Sequence, residues 1–109
     1  MRMTIIKDDS NVTIDGEGYR VDCSTLPATF HALQWYGDRG EVEYKMTRCD
    51  HCGARSRKGN DLITDLSPYM PYVEAWRAAK AAYDAETVRL ALEAQTKAEA
   101  KANAAGPET

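Results

Sequence analysis

Short runs of alternating apolar and polar residues fill the first two thirds of the chain, and one long alanine-rich run fills most of the rest. Thr4-Ile5-Ile6-Lys7 reads as a short strand, closed by the polar cluster Asp8-Asp9-Ser10-Asn11. Val12-Thr13-Ile14 and Tyr19-Arg20-Val21-Asp22-Cys23 both keep a period of two, which puts Tyr19, Val21 and Cys23 on one face. Asp15-Gly16-Glu17-Gly18 between them tolerates positive φ, so the two runs are expected to form a hairpin. After the bend Ser24-Thr25-Leu26-Pro27, residues 30–36 and 41–46 flank Gly37-Asp38-Arg39-Gly40 and suit a second hairpin. In its second run Val42, Tyr44 and Met46 face one way and Glu41, Glu43 and Lys45 the other, the pattern of a half-solvated antiparallel strand. In its first run Phe30, Ala32, Gln34 and Tyr36 oppose His31, Leu33 and Trp35. Residues 49–60 read as a polar loop, and Asp61 to Leu66 as a short apolar return, either a last strand or a turn.

From Tyr72 to Ala105 there is no glycine or proline, and thirteen residues are alanine. Such a run predicts a helix about 50 Å long at 1.5 Å per residue. Ser67-Pro68 and Met70-Pro71 open it, because the first turn of a helix has N–H groups without partners in any case. Gly106-Pro107 stops it and leaves 106–109 as a frayed tail. The expected fold class is α+β: a small antiparallel sheet of two hairpins, packed by the start of one long C-terminal helix. Residues 1–71 form the head with a Cys-x-x-Cys loop at 49–60, and residues 72–105 the helix.

That helix is longer than the head can cover. Tyr72, Val73, Trp76 and Tyr83 suit packing on the sheet, while Trp76, Tyr83 and Leu90 recur at spacing seven, as in a heptad seam that ends where the next step meets Lys97. Three readings stay open for the distal half: a solvated helix, a seam for a second copy or a partner, or a disordered tail. Glu93 and Lys97 form an i,i+4 pair in the favourable order. Trp35 and Tyr36, beside the glycine turn, suit either a partner patch or the core.

A net charge of −3 gives no general attraction to nucleic acid or acidic membranes. The first residues lack the apolar core of a signal peptide, and no run approaches the roughly 20 apolar residues of a membrane span. Three cysteines, an odd number, argue against a secreted disulfide framework and for a reducing compartment. Cys49-Asp50-His51-Cys52-Gly53 has the spacing of a zinc knuckle, with two thiolates on one turn and a glycine that lets the backbone curl around the metal. Four ligands are needed, and Cys23 with one of the two histidines, His31 in the set adopted here, makes up the number. Two other readings compete: reduced thiols with Cys23 as a small buried apolar residue, or a redox pair, which here lacks a βαβ setting. Lys45, Arg48, Arg55, Arg57 and Lys58 surround the loop with no aromatic residue interleaved for base stacking, which argues against a nucleic-acid surface. No residue is assigned a catalytic role. Ser24, His31 and Asp22 are near one another without a nucleophile elbow, the acidic pairs lack an apolar pocket, and no phosphate-binding glycine pattern occurs.

The run Val12-Thr13-Ile14-Asp15-Gly16, then Val21-Asp22-Cys23-Ser24 with Leu26-Pro27, Phe30-His31-Ala32-Leu33-Gln34-Trp35 and Gly40-Glu41-Val42-Glu43-Tyr44, forms a wider pattern. With Ile63-Thr64-Asp65-Leu66-Ser67-Pro68-Tyr69 and Val73-Glu74-Ala75-Trp76, it is similar to small proteins encoded among bacteriophage tail genes, described as tail-fibre-associated or tail-assembly proteins. The similarity covers roughly residues 4–83 and consists of turn and core residues; the basic Cys-x-x-Cys insert and the C-terminal extension lie outside it. It implies a non-enzymatic structural or chaperone-like role, exercised as a multimer with itself and other tail proteins, in the virion tail or in the host cytoplasm during assembly. No small-molecule substrate is implied. The alternative is a zinc-knuckle adaptor, or a phage-encoded inhibitor of a host macromolecule.

Overall fold

Asp15 and Gly16 both take positive φ, 48° and 88°. Two such residues make the type I′ turn, whose twist matches that of a strand pair. The turn is two residues, shorter than the four-residue stretch expected, because Glu17 and Gly18 are already paired with Ile14 and Thr13. In the computed structural model, which describes residues 1–104, eight strands precede one helix. They are β1 (Met3–Ile6), β2 (Asn11–Ile14), β3 (Glu17–Arg20), β4 (Phe30–Trp35), β5 (Gly40–Tyr44), β6 (Met46–Arg48), β7 (Arg55–Arg57) and β8 (Asp61–Ile63), followed by α1 (Met70–Ala104). The fold is α+β: a six-stranded antiparallel sheet, a separate two-stranded one and the helix.

The larger sheet runs β3-β2-β1-β4-β5-β8. The two hairpins expected within one sheet are joined by β1, which pairs with β2 on one side and β4 on the other. Three consecutive strands with the fourth returning beside the first is the Greek-key arrangement. The return segment, residues 21–29, buries Val21, Cys23 and Leu26. This corrects the reading of β3: the strand ends at Arg20, and Val21 and Cys23 belong to the crossing.

Cross-strand register places Met3, Ile5, Val12, Ile14, Leu33, Trp35 and Val42 on one face, and all are buried. Thr4, Thr13, Gln34 and Glu41 line the opposite face and are half-buried, with Thr4 Oγ1 donating to Gln34 Oε1 at 2.8 Å. A bulge between Phe30 and Ala32 resets the alternation in β4. Phe30 therefore joins Leu33 and Trp35 in the core and His31 does not, contrary to the simple period-two reading. Met46, expected on the apolar face with Val42, is exposed and belongs to β6.

Tyr72 and Val73, in the first turn of α1, complete this core. Asp65 accepts the Ser67 N–H at 2.9 Å and fixes the approach to the 3-10 turn Ser67–Tyr69, from which α1 continues at Met70. Tyr72 also shares a hydrogen bond with Thr25 at 2.6 Å, tying the helix start to the Greek-key crossing. Met1–Ala79 forms one compact unit and a second begins at Lys80. The expected helix end at Ala105 and the tail 106–109 lie outside the described residues. No described helix is long and apolar enough to cross a membrane.

Gly40 stands opposite Trp35 in the ladder, and a Cβ built on it would lie 2.5 Å from the Gln34 carbonyl and 2.9 Å from the Trp35 ring. The backbone carbonyl cannot swing away as a flexible side chain would. Gly40→Ala is therefore expected to destabilise the protein by about 1–3 kcal/mol through overpacking. Urea unfolding should show a lower midpoint at unchanged slope; an unchanged midpoint would contradict the close approach.

Candidate functional site

The aromatic residues named from the sequence divide between anchoring and exposure. Trp35 is only 5% exposed and packs in the core beside Gly40, so of its two expected roles the core one holds and it offers no partner patch. Its strand position, not its proximity to the turn, decides this: the register places it directly opposite Met3 and Gly40 on the inner face. Tyr36, one residue further, faces the other way and is half exposed, with the Arg2 guanidinium 5.5 Å from its ring centre. Trp76 is committed to the first unit. Its Nε1–H donates to the Glu17 carbonyl at 2.9 Å and its ring meets Tyr19 edge-on at 5.6 Å between centroids. β3 is an edge strand, and Trp76 occupies one of its main-chain acceptors, which leaves it unsuited to a free seam. Sequence reasoning missed Tyr19 as its counterpart, although the partial burial of a strand aromatic at position 19 follows from the same period-two pattern.

In the second unit, Tyr83, Val88, Leu90 and Leu92 are between 52% and 59% exposed. At 3.6 residues per turn Tyr83 and Leu90 share one side, while Val88 and Leu92 fall on the other. Alanines and ion pairs lie among them: Lys80 with Asp84 at 3.5 Å, and Arg89 bridging Glu86 and Glu93. Glu93 meets Arg89 at 2.6 Å, four residues before it, instead of forming the Lys97 pair expected from the sequence. Thr87 donates its hydroxyl to the Tyr83 carbonyl at 2.9 Å.

The basic Cys-x-x-Cys segment is not a plain loop. Met46↔Arg57, Thr47↔Ser56 and Arg48↔Arg55 pair as β6 and β7, all exposed. Arg55-Ser56-Arg57 is polar throughout and fully exposed, so it has no apolar alternation by which a strand could be read from the sequence. At the tip, Cys49 N–H donates to the Ala54 carbonyl and Gly53 N–H to the Cys49 carbonyl, both at 2.8 Å, with Gly53 at φ +70°. Cys52 N–H points at Cys49 Sγ, 3.4 Å away. The Cys52 side chain, this N–H and those of His51 and Gly53 stabilise negative charge on Cys49 and hold its thiol below the ordinary value. Arg48 Nε donates to the Gly53 carbonyl at 3.2 Å and braces the turn.

The four-ligand zinc set is not brought together. Cys23 is fully buried, donates to the Val21 carbonyl at 3.2 Å and has its thiol pushed up by burial. Cys49 and Cys52 are exposed on the hairpin tip, and among the described residues no three His, Cys, Asp or Glu side chains stand close enough to hold a metal. The Greek-key crossing is what removes Cys23, by carrying it under the sheet.

At the far edge of the sheet, Tyr36, Arg39, Glu41, Leu62, Ile63 and Thr64 line an open cavity of about 570 Å³. Leu62, on the outer face of edge strand β8, is 79% exposed. Nearby, Asp61 accepts hydrogen bonds from Tyr44 and Lys58, and the Lys58 ammonium lies 4.6 Å from the Tyr44 ring centre. Tyr44 and Lys58 hold the Asp61 carboxyl below its ordinary value. This cluster ties β8 to β5 at their ends, which is structural work.

Compared with known proteins, the chain matches no family model, no curated protein and no solved structure. Its own geometry therefore carries the functional reading.

Replacing Trp76 by Phe keeps an aromatic ring against Tyr19 and removes the N–H donor to Glu17. The expected loss is about 0.5–1.5 kcal/mol, read as a fall of several degrees in Tm; no change would mean that the ring contact alone anchors the helix. Alkylation with iodoacetamide under native conditions should label Cys49 and Cys52 and spare Cys23 until unfolding, with Cys49 still reacting at pH values where an ordinary thiol has slowed. Peptide mass mapping checks the order, and early labelling of Cys23 would contradict its burial.

Proposed function

We propose that this protein acts by attachment: a non-enzymatic bacteriophage tail structural or tail-assembly protein, working through contacts with copies of itself and with other tail proteins. The observation that carries the attachment reading is the second unit's surface. Four bulky apolar side chains, Tyr83, Val88, Leu90 and Leu92, stand more than half in water along ten helical residues. Full burial of one such side chain is worth about 1.5–3 kcal/mol, so a partner gains by covering Tyr83 and Leu90 on one side of the helix, or Val88 and Leu92 on the other. The alanine background also lets a second helix come close, with Tyr83 and Leu90 as the bulky residues of the seam and the Arg89 ion pairs at its margin. Tail assembly as the setting rests on the resemblance of the turn and core residues over 4–83 to small phage tail-gene products, since no family model, curated protein or solved structure matches the chain.

Light scattering in chelator and reducing agent tests the seam. A multiple of the 12.1 kDa chain mass is expected, reduced to the monomer by Leu90→Lys in the full chain and by truncation after Tyr83. The tail setting is tested by co-purification with the proteins encoded beside it, with capture expected for the full chain and lost in both variants. A monomer that captures those proteins equally well after truncation rejects the helix as the contact element.

A further inference from the structure

The β6–β7 hairpin poses a physical problem of its own. Three cross-strand pairs join it, none of its residues is buried, and a two-stranded ribbon without an apolar face is marginal in water. Yet its tip is organised around one sulfur. Gly53 takes the positive φ that turns the chain, Gly53 N–H closes on the Cys49 carbonyl, and Cys52 N–H points at Cys49 Sγ. Backbone N–H groups directed at a cysteine sulfur are what a bound thiolate requires of its surroundings, since they disperse its charge and fix its direction. The result is a two-cysteine knuckle with both residues exposed to solvent.

A tetrahedral structural zinc site takes four ligands, and among the described residues no third ligand stands beside Cys49 and Cys52. We infer that the knuckle is half of a tetrathiolate zinc site, completed by Cys49 and Cys52 of a second copy of this chain across a two-fold axis. Such an isologous contact needs only that the half-site fit itself. Charge supports this occupant. Arg48, Arg55 and Arg57 outnumber Asp50 on the hairpin, so two bare hairpins repel one another. Zinc with four thiolates carries a net charge of −2, and set between the two hairpins it turns that repulsion into attraction. The metal is then a requirement of the contact and not an addition to it. Binding also releases the protons that the thiols still hold, so affinity falls as the pH is lowered.

This inference stands apart from the helix seam and fails separately. The full chain, purified under reducing conditions and freed of metal, is titrated with Co²⁺ as a spectroscopic substitute for Zn²⁺. Saturation is expected at one metal per two chains, with the intense visible bands of tetrahedral cobalt and the charge-transfer absorption of four thiolates; Zn²⁺ should then displace the cobalt. Cys49→Ser/Cys52→Ser should abolish the bands while leaving the far-ultraviolet spectrum and the mass measured in chelator unchanged. Saturation at one metal per chain, a two-thiolate spectrum, no binding, or equal binding by the double variant would each overturn the proposal. The seam is judged from the mass in chelator alone, so neither result decides the other.

Discussion

Ile5 lies directly between Val12 on one neighbouring strand and Leu33 on the other, and all three are shut off from water. The remainder of the first unit is arranged around that row. Burying both flanks of β1 requires β4 to return beside it, and the connection from β3 must therefore pass across the sheet. That passage carries Val21, Cys23 and Leu26 into the core and leaves Thr25 where Tyr72 can reach it. The first turn of α1 then seals the face with Tyr72 and Val73. A small domain with a core of this size has little stability to spare, which makes the close approach of Gly40 to Trp35 and the link from Trp76 to Glu17 consequential in spite of their peripheral positions.

The same constraint distributes the chemistry. Residues taken into the core lose access to ligands and partners, and Cys23 and Trp35 are both of this kind. Residues excluded from it are left to contact solvent or other molecules. The Cys49–Cys52 knuckle and the apolar residues beyond Lys80 belong to this second group, one on a basic hairpin and one on an alanine-rich helix. They offer different kinds of contact. The cysteine pair is held in a fixed turn; an alanine-rich helix surface buries little area per residue against anything that covers it.

Local pattern was sufficient for the α+β class, for the strand runs near 4–7, 12–14, 30–36 and 41–46, for the turn at Asp15-Gly16 and for the helix opening at Pro68 and Pro71, because backbone preference and side-chain period act within a few residues. The Cys-x-x-Cys turn was legible for the same reason: a glycine after the second cysteine fixes a local conformation. The tertiary structure alone decided that β1 sits between two hairpins, that a bulge after Phe30 turns His31 out of the core, that Trp76 belongs to β3 and that Cys23 cannot join Cys49 and Cys52. Each of these depends on pairing between residues tens of positions apart, and such pairings are selected by the burial of the whole apolar face together. A period of two specifies which side chains share a face; only the closing of the core specifies which face they meet.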